Sequence, residues 1–268
     1  MKSSQLHSKP QRYRASSSAQ LLVLVVVISL VWLVATHCRA ATANSGPPCH
    51  PRTFEGSNYI ICTFDLRAYA LHLFWKDERG EPYGSFDRLP RRLTGAPIVF
   101  AMNAGMYETD LSPVGLYIES GKTLKRANTA SGPGNFHLKP NGIFYVRGQE
   151  AGILTTERFL SQRPRADFAT QSGPMLIING QIHPKILPGS DSRKIRNGVG
   201  VHDPHTVMFA ISAGPVTFWQ FARLFRDGLG SANALFLDGS ISSLYAPALS
   251  RYDTLYPMGP IIAAFERK

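Results

Sequence analysis

The sequence has 268 residues, 44% of them hydrophobic and 18% charged, and carries a formal net charge of +11. It shows no repeat of fixed period and no low-complexity linker, so solenoid and array architectures are excluded. Apart from Arg91-Arg92 and Arg193-Lys194-Ile195-Arg196 the cations are scattered, with no basic stripe interleaved with aromatics. The charge therefore argues against nucleic acid and for an anionic substrate or polymer.

Residues 1–43 do not read as fold. Lys2, Lys9, Arg12 and Arg14 form a basic start, Leu21 to Ala35 is apolar except for Ser29, and Ala41-Thr42-Ala43 supplies a small-x-small cleavage pattern. This is the layout of a secretory signal. The apolar run falls short of the about 20 residues of a membrane span. A retained N-terminal anchor is the alternative, and it is the sole route by which the chain is expected to meet a membrane. Without the five basic residues of this leader the net charge is +6, on a chain long enough for one sizeable domain. Export places the protein in the periplasm or outside the cell. The remaining pair, Cys49 and Cys62, is then expected to form a disulfide, worth about 3 kcal/mol for so short a loop. No Cys/His spacing resembles a zinc site, and neither metal nor cofactor is expected.

Residues 44–58 are turn-rich and read as irregular, and 44–96 as a connecting segment of the same domain as 97–268. Tyr59–Cys62 and Leu71–Trp75 read as strands, Phe86–Leu93 as a short helix, and Pro97–Met102 as a buried strand. Four hairpins follow. They span 114–126, 141–155, 171–182 with an Asn179-Gly180 turn, and 199–211 with a turn at Asp203-Pro204. One helix begins at Thr217, with Phe218, Phe221, Leu224 and Phe225 at helical spacing as a core stripe. Leu235–Leu237 and 257–265 are the closing strands. The count predicts a single α+β domain dominated by antiparallel β-sheet with few helices.

Five of these runs end on a glycine beside an amide, carboxylate or hydroxyl. They are Asn103-Ala104-Gly105, Asn141-Gly142, Gln171-Ser172-Gly173, Arg196-Asn197-Gly198 and Asp238-Gly239-Ser240. One such break is a turn, and Asp238-Gly239 alone reads equally well as one. Five suggest loops converging on a pocket whose amides and hydroxyls read sugar hydroxyls.

Together with Pro113–Tyr117, Leu237–Tyr245 and Met258–Ile262, these stretches run in the order found in the phosphodiester glycosidase domain family. The chain resembles a short bacterial member across roughly residues 97–265. The resemblance implies hydrolysis of a sugar-1-phosphodiester at the anomeric C–O bond, with an anionic carbohydrate as the partner. A phosphate leaving group is a stable anion that needs little protonation, so one carboxylate and a cation suffice where glycosidases usually need two carboxyls. Asp238 is the first choice for nucleophile or base, and Glu108 for a second carboxyl, with Asp110 as its competitor. Arg196 is the expected phosphate clamp, because guanidinium pairs bidentately with phosphate. Asn103, Asn141, Gln171 and Ser172 are expected to hold sugar hydroxyls or water. Gly239 would allow close approach, and Ser240, Ser242 and Ser243 would contact phosphate or pin Asp238. His202 and His205 around Asp203 read as a turn, and the Gly-rich loop 131–136 as a lid. Two other functions remain open: a non-catalytic glycan-binding protein associated with exopolysaccharide, and a phosphodiesterase cutting P–O.

Overall fold

A computed structural model describes residues 47–238 and 241–268. The leader, Gly239 and Ser240 lie outside the described residues. In chain order, β1 (Cys49–Phe54) and β2 (Ser57–Asp65) form a hairpin, followed by β3 (Tyr69–Phe74), β4 (Arg92–Leu93) and β5 (Ala96–Asn103). The hairpins β6 (Tyr117–Glu119) with β7 (Lys122–Lys125) and β8 (Gly142–Arg147) with β9 (Glu150–Thr155) come next. Helix α1 (Thr156–Gln162) leads to β10 (Phe168–Ser172), β11 (Met175–Ile178), β12 (Gln181–Ile182), β13 (Asn197–Asp203) and β14 (Thr206–Ser212). Helix α2 (Phe218–Arg223) runs into a π turn over Leu224–Gly228, and β15 (Asn233–Phe236), β16 (Leu244–Ala246), β17 (Arg251–Tyr252) and β18 (Ile261–Glu266) complete the chain.

The strands make three antiparallel sheets, ordered β1-β2-β14-β13-β15-β11-β12, β7-β6-β10-β8-β9, and β17-β16-β5-β18-β3 with β4 beside β5. All three contribute to one core. Phe64 of β2 lies 5.1 Å from Phe100 of β5, which lies 4.8 Å from Phe209 of β14, and Phe144 of β8 reaches Phe209 at 6.1 Å. The alternation predicted for a sheet with one wet face gives way to continuous burial in β18, where Ile261–Phe265 are all buried. On the other face of the seven-stranded sheet, Phe221, Leu224 and Phe225 form the predicted stripe, and Phe221 stacks on Tyr59 at 6.3 Å. Gly200 is required there, since a Cβ would stand 2.4 Å from the Ser231 hydroxyl and 2.7 Å from the Phe225 ring. Thr217 caps α2 with a full capping box, its side chain accepting from the Gln220 N–H.

Four local expectations change. Residues Cys49–Phe54 are a strand, not irregular, because they pair along their whole length with β2 and are tied to it by the Cys49–Cys62 disulfide. Pro51 is tolerated there because β1 is an edge. Phe86–Leu93 is only a single 3-10 turn over Phe86–Arg88, since Pro90 forces Leu89 into the extended region. Residues 171–178 are not one strand. The Gly173–Pro174 corner, a cis peptide, sends β10 into the five-stranded sheet and β11 into the seven-stranded one. Helix α1 was not expected. Its seven residues bury only Thr156 and Phe159, too few to show a period.

Candidate active site

Three strand ends meet around Asp238. Strand β15 lies between β13 and β11, in the interior of its sheet. Its register with β13, Gly198 opposite Phe236, sets Asn197 beside the residues that leave the strand. The Leu237 N–H donates to the Asn197 carbonyl at 3.2 Å and the Asp238 N–H to Asn197 Oδ1 at 3.0 Å. Asn197 Nδ2 in turn donates to Asn103, at the end of β5, reaching Oδ1 at 2.9 Å and the carbonyl at 3.1 Å. Asn103 Oδ1 also accepts from the Ser243 N–H at 2.9 Å. The Ser242 hydroxyl lies 2.9 Å from the Asp238 carbonyl and 3.2 Å from that of Ile195, sharing one proton between them. The Ser172 hydroxyl donates to the Leu237 carbonyl. The backbone on which the carboxylate sits is therefore held at Leu237 and at both polar groups of Asp238.

The electrostatics follow from this packing. Asp238 is 7% exposed, and it is the one buried carboxylate among the described residues. Tyr107 packs against Gly259, where any Cβ would lie 2.4 Å from its own, and donates its hydroxyl to the Pro257 carbonyl at 2.9 Å. Burial first, and the charge of Asp238 second, hold the Tyr107 phenol well above its ordinary range, so it stays a neutral donor. Asn103 Nδ2 is buried and has no hydrogen-bond partner among the described residues. An unmade bond of that kind costs about 1–3 kcal/mol, and it stands in the cluster that positions Asp238.

The other expected residues divide. Glu108 is exposed, at the tip of a turn closed by the bridge between Tyr107 and Pro113, one residue from the phenol that senses Asp238. Asp110 caps the same turn, accepting from the Ser112 N–H at 2.9 Å. Gln171 has both amide groups committed. Its Oε1 accepts from the Leu116 and Asn128 N–H groups at 2.9 Å, and its Nε2 donates to the Asn128 carbonyl at 2.8 Å and to Thr156 Oγ1 at 3.1 Å. Asn141 donates to the Phe136 carbonyl and accepts from the Thr156 hydroxyl, at 2.9 and 2.8 Å. These two amides shape the loop around residues 128–141. The lid expected at 131–136 is tied back in the same place, with His137 Nδ1 bonded to the Ala130 carbonyl at 3.1 Å.

Arg196 is 1% exposed and faces inward. Its Nε donates to the Val216 carbonyl at 2.9 Å and its Nη2 to the Ser192 carbonyl at 3.0 Å, while the guanidinium stacks 3.6 Å above the Phe218 ring. No carboxylate pairs with it among the described residues. Burial pulls its pKa down to about 10, which leaves it charged at neutral pH. In this position it ties the loop before β13 to α2, with Nε and Nη2 spent on protein carbonyls. Arg196→Lys should lower stability by about 2 kcal/mol or more, because lysine reproduces neither the fork nor the stack. A raised KM with an unchanged melting temperature would return the residue to phosphate binding.

Two residues of this cluster escape a reading by residue type. Asn197 stands inside the Arg196-Asn197-Gly198 motif, but a search for a phosphate partner favours the arginine. Tyr107 closes the Asn103–Tyr107 stretch, and only its nearness to Asp238 in space marks it.

Residues 96–255 match the model of the phosphodiester glycosidase family. The chain belongs to this family. It is 36% identical over 214 residues to the uncharacterized protein YigE of Escherichia coli (strain K12), covering 77% of this chain and 84% of that one. Among solved structures it is similar to the catalytic domain of zebrafish N-acetylglucosamine-1-phosphodiester alpha-N-acetylglucosaminidase, auto-inhibited by its pro-peptide. The TM-score is 0.56 at 17% identity, over 85% of this chain and 87% of that chain. A hypothetical protein from Synechocystis matches with a TM-score of 0.50 at 14% identity, over 82% and 61% of the two chains. At those identities the structural likenesses establish a shared fold. In this member of the phosphodiester glycosidase family the matched segment includes Asn103, Asn197 and Asp238, so the clustered strand ends all lie within the family's own span.

Proposed function

We propose that this phosphodiester glycosidase hydrolyses a sugar-1-phosphodiester by breaking the anomeric C–O bond, with Asp238 as nucleophile or base. The burial of Asp238 on a backbone fixed by Asn197, Ser172 and Ser242 is the observation that carries the reading. A carboxylate held in one place and shielded from water stabilises the positive charge that develops at the anomeric carbon. Water supplies the oxygen that ends on the sugar, and the phosphomonoester departs with the bridging oxygen and the bonding pair. Because that group leaves as a stable anion, it needs no acid to protonate it, and the exposed Glu108 is free to serve as a base. Its part is to take the proton from water. Asn103 holds the strand ends around Asp238, and the neutral Tyr107 phenol, its proton given to the Pro257 carbonyl, keeps an oxygen lone pair beside the site, with Ser240 as the hydroxyl for the phosphate. The leader and the Cys49–Cys62 disulfide support an exported enzyme acting in the cell envelope or outside it.

Hydrolysis in heavy-oxygen water tests the bond that breaks. C–O cleavage leaves the phosphomonoester unlabelled, and the phosphate is the product to read because a free sugar exchanges its anomeric oxygen. Label in the phosphate would assign P–O cleavage. Binding without turnover across a panel of glycosyl phosphodiesters would make the chain a glycan-binding member of its family.

A further inference from the structure

Beyond the leader, the net positive charge of this protein comes from one part of the chain. Residues 120–196 hold twelve Lys and Arg against four Asp and Glu, whereas the rest of 47–268 holds twelve against fourteen. Of the twelve, only Arg147 is in an ion pair among the described residues, and all but the buried Arg196 are exposed. A surface that keeps its cations unneutralised attracts a polyanion over distances up to the Debye length, about 8–10 Å.

A cleft of ≈ 510 Å³ opens in that same region, within the range of ligand sites. Thr129, Lys139, Asn141 and Thr156 line it together with Glu157 and Leu160 of α1. The bond between Thr156 and Asn141, backed by Gln171, fixes the polar groups there. Lys139 bends its Nζ onto the Thr129 carbonyl at 2.6 Å and has no carboxylate partner among the described residues. Leu160 is 39% exposed, a large apolar side chain left on the rim. One acid to accept from hydroxyls, an apolar ledge for a C–H face and one cation, over a floor whose amide and hydroxyl are fixed by protein bonds, together suit a sugar that carries a phosphate.

The cleft is also one short connection from Asp238. A Cβ on Gly173 would lie 2.7 Å from Asn141 Cβ, so the lining residue touches the corner after Ser172. Ser172 in turn holds the Leu237 carbonyl, one residue before Asp238. We propose that the cleft is a second carbohydrate subsite, which holds the adjoining unit of a polymeric glycosyl phosphodiester while Lys139 exchanges the Thr129 carbonyl for a phosphate oxygen. The proposal rests on the phosphodiester reading for the class of ligand, but not on Asp238 as the reacting group.

Calorimetric titration tests it, using one-unit and three-unit α-1-phosphodiesters of N-acetylglucosamine and of glucose against the Asp238→Asn protein. For at least one sugar the three-unit ligand should bind about tenfold or more tightly than the one-unit ligand. Leu160→Asp, at an unchanged melting temperature, should bring that ratio close to one, and Lys139→Gln should flatten its dependence on salt. Equal affinities for short and long ligands of both sugars would overturn the subsite. So would a ratio that survives Leu160→Asp, or phosphatidylglycerol vesicles that bind in place of the oligomers and lose affinity in the same two variants. Failure of the hydrolase reading looks different: the unsubstituted protein would release no sugar while the length dependence remained.

Discussion

Asp238→Asn should reduce hydrolysis of a sugar-1-phosphodiester by about a thousandfold or more while the protein stays folded. Asparagine has nearly the same shape, and the backbone of this residue is held by bonds from its N–H to Asn197 and from Ser242 to its carbonyl. The substitution removes charge and basicity from a position whose geometry is kept. Tyr107 offers an independent reading of the same change. Its phenol is raised by burial and, to a smaller degree, by the Asp238 charge, so in the variant its titration should move downward yet remain above the ordinary tyrosine range. Full activity together with that spectroscopic shift would show that the carboxylate had been removed and was not needed, and the catalytic assignment would fall.

Asn197→Ala should have the largest effect on stability. One side chain accepts from the Asp238 N–H and donates to two oxygens of Asn103, and it has no exposure to solvent. Truncation strands a buried N–H and leaves a void at a crossing of two strand ends, at a cost of about 3–5 kcal/mol. For a domain of this size that corresponds to roughly 10 °C in melting temperature. Activity should fall as well, through kcat more than KM, because Asp238 loses its anchor while the surfaces that bind substrate remain. Asn197→Asp separates the two contributions. It restores the acceptor for the Asp238 N–H but puts a second buried carboxylate against Asn103 Oδ1, so it should recover little stability and less activity. A melting temperature within a degree of the parent for Asn197→Ala would mean that the cluster is not what holds the strand ends together.

The hairpins were legible because each is a local event. Asn179-Gly180 and the Glu119–Lys122 turn state their geometry within a few residues. Asp238 was legible for the same reason, since an apolar run that breaks into an acid and a glycine marks a strand end. The partners of Asp238 were not. Asn103 and Asn197 are 94 residues apart, Ser172 and Leu237 are 65 apart, and nothing in the local pattern distinguishes a buried amide from a turn amide. Arg196 shows the opposite limit. Its residue type suits a phosphate, but its burial under Phe218 depends on α2, which follows it in the chain. Strand β1 was missed because its extended form comes from pairing with β2, and its own residues are turn formers.

The position of β18 has a consequence for how the molecule is made. This last strand of the described chain does not lie at an edge. It pairs with β5 on one side and with β3 on the other. Until it emerges from the ribosome, β3 and β5 have an empty slot between them, and Asn103 at the end of β5 has no finished sheet to stand in. Strands β3 and β5 must therefore wait, with apolar edges open, for these six residues. A topology of such long-range pairings folds slowly and exposes aggregation-prone edges meanwhile. Shortening the chain before Ile261 removes an interior strand, so a nascent or clipped chain lacking it is open to proteases before its third sheet can close.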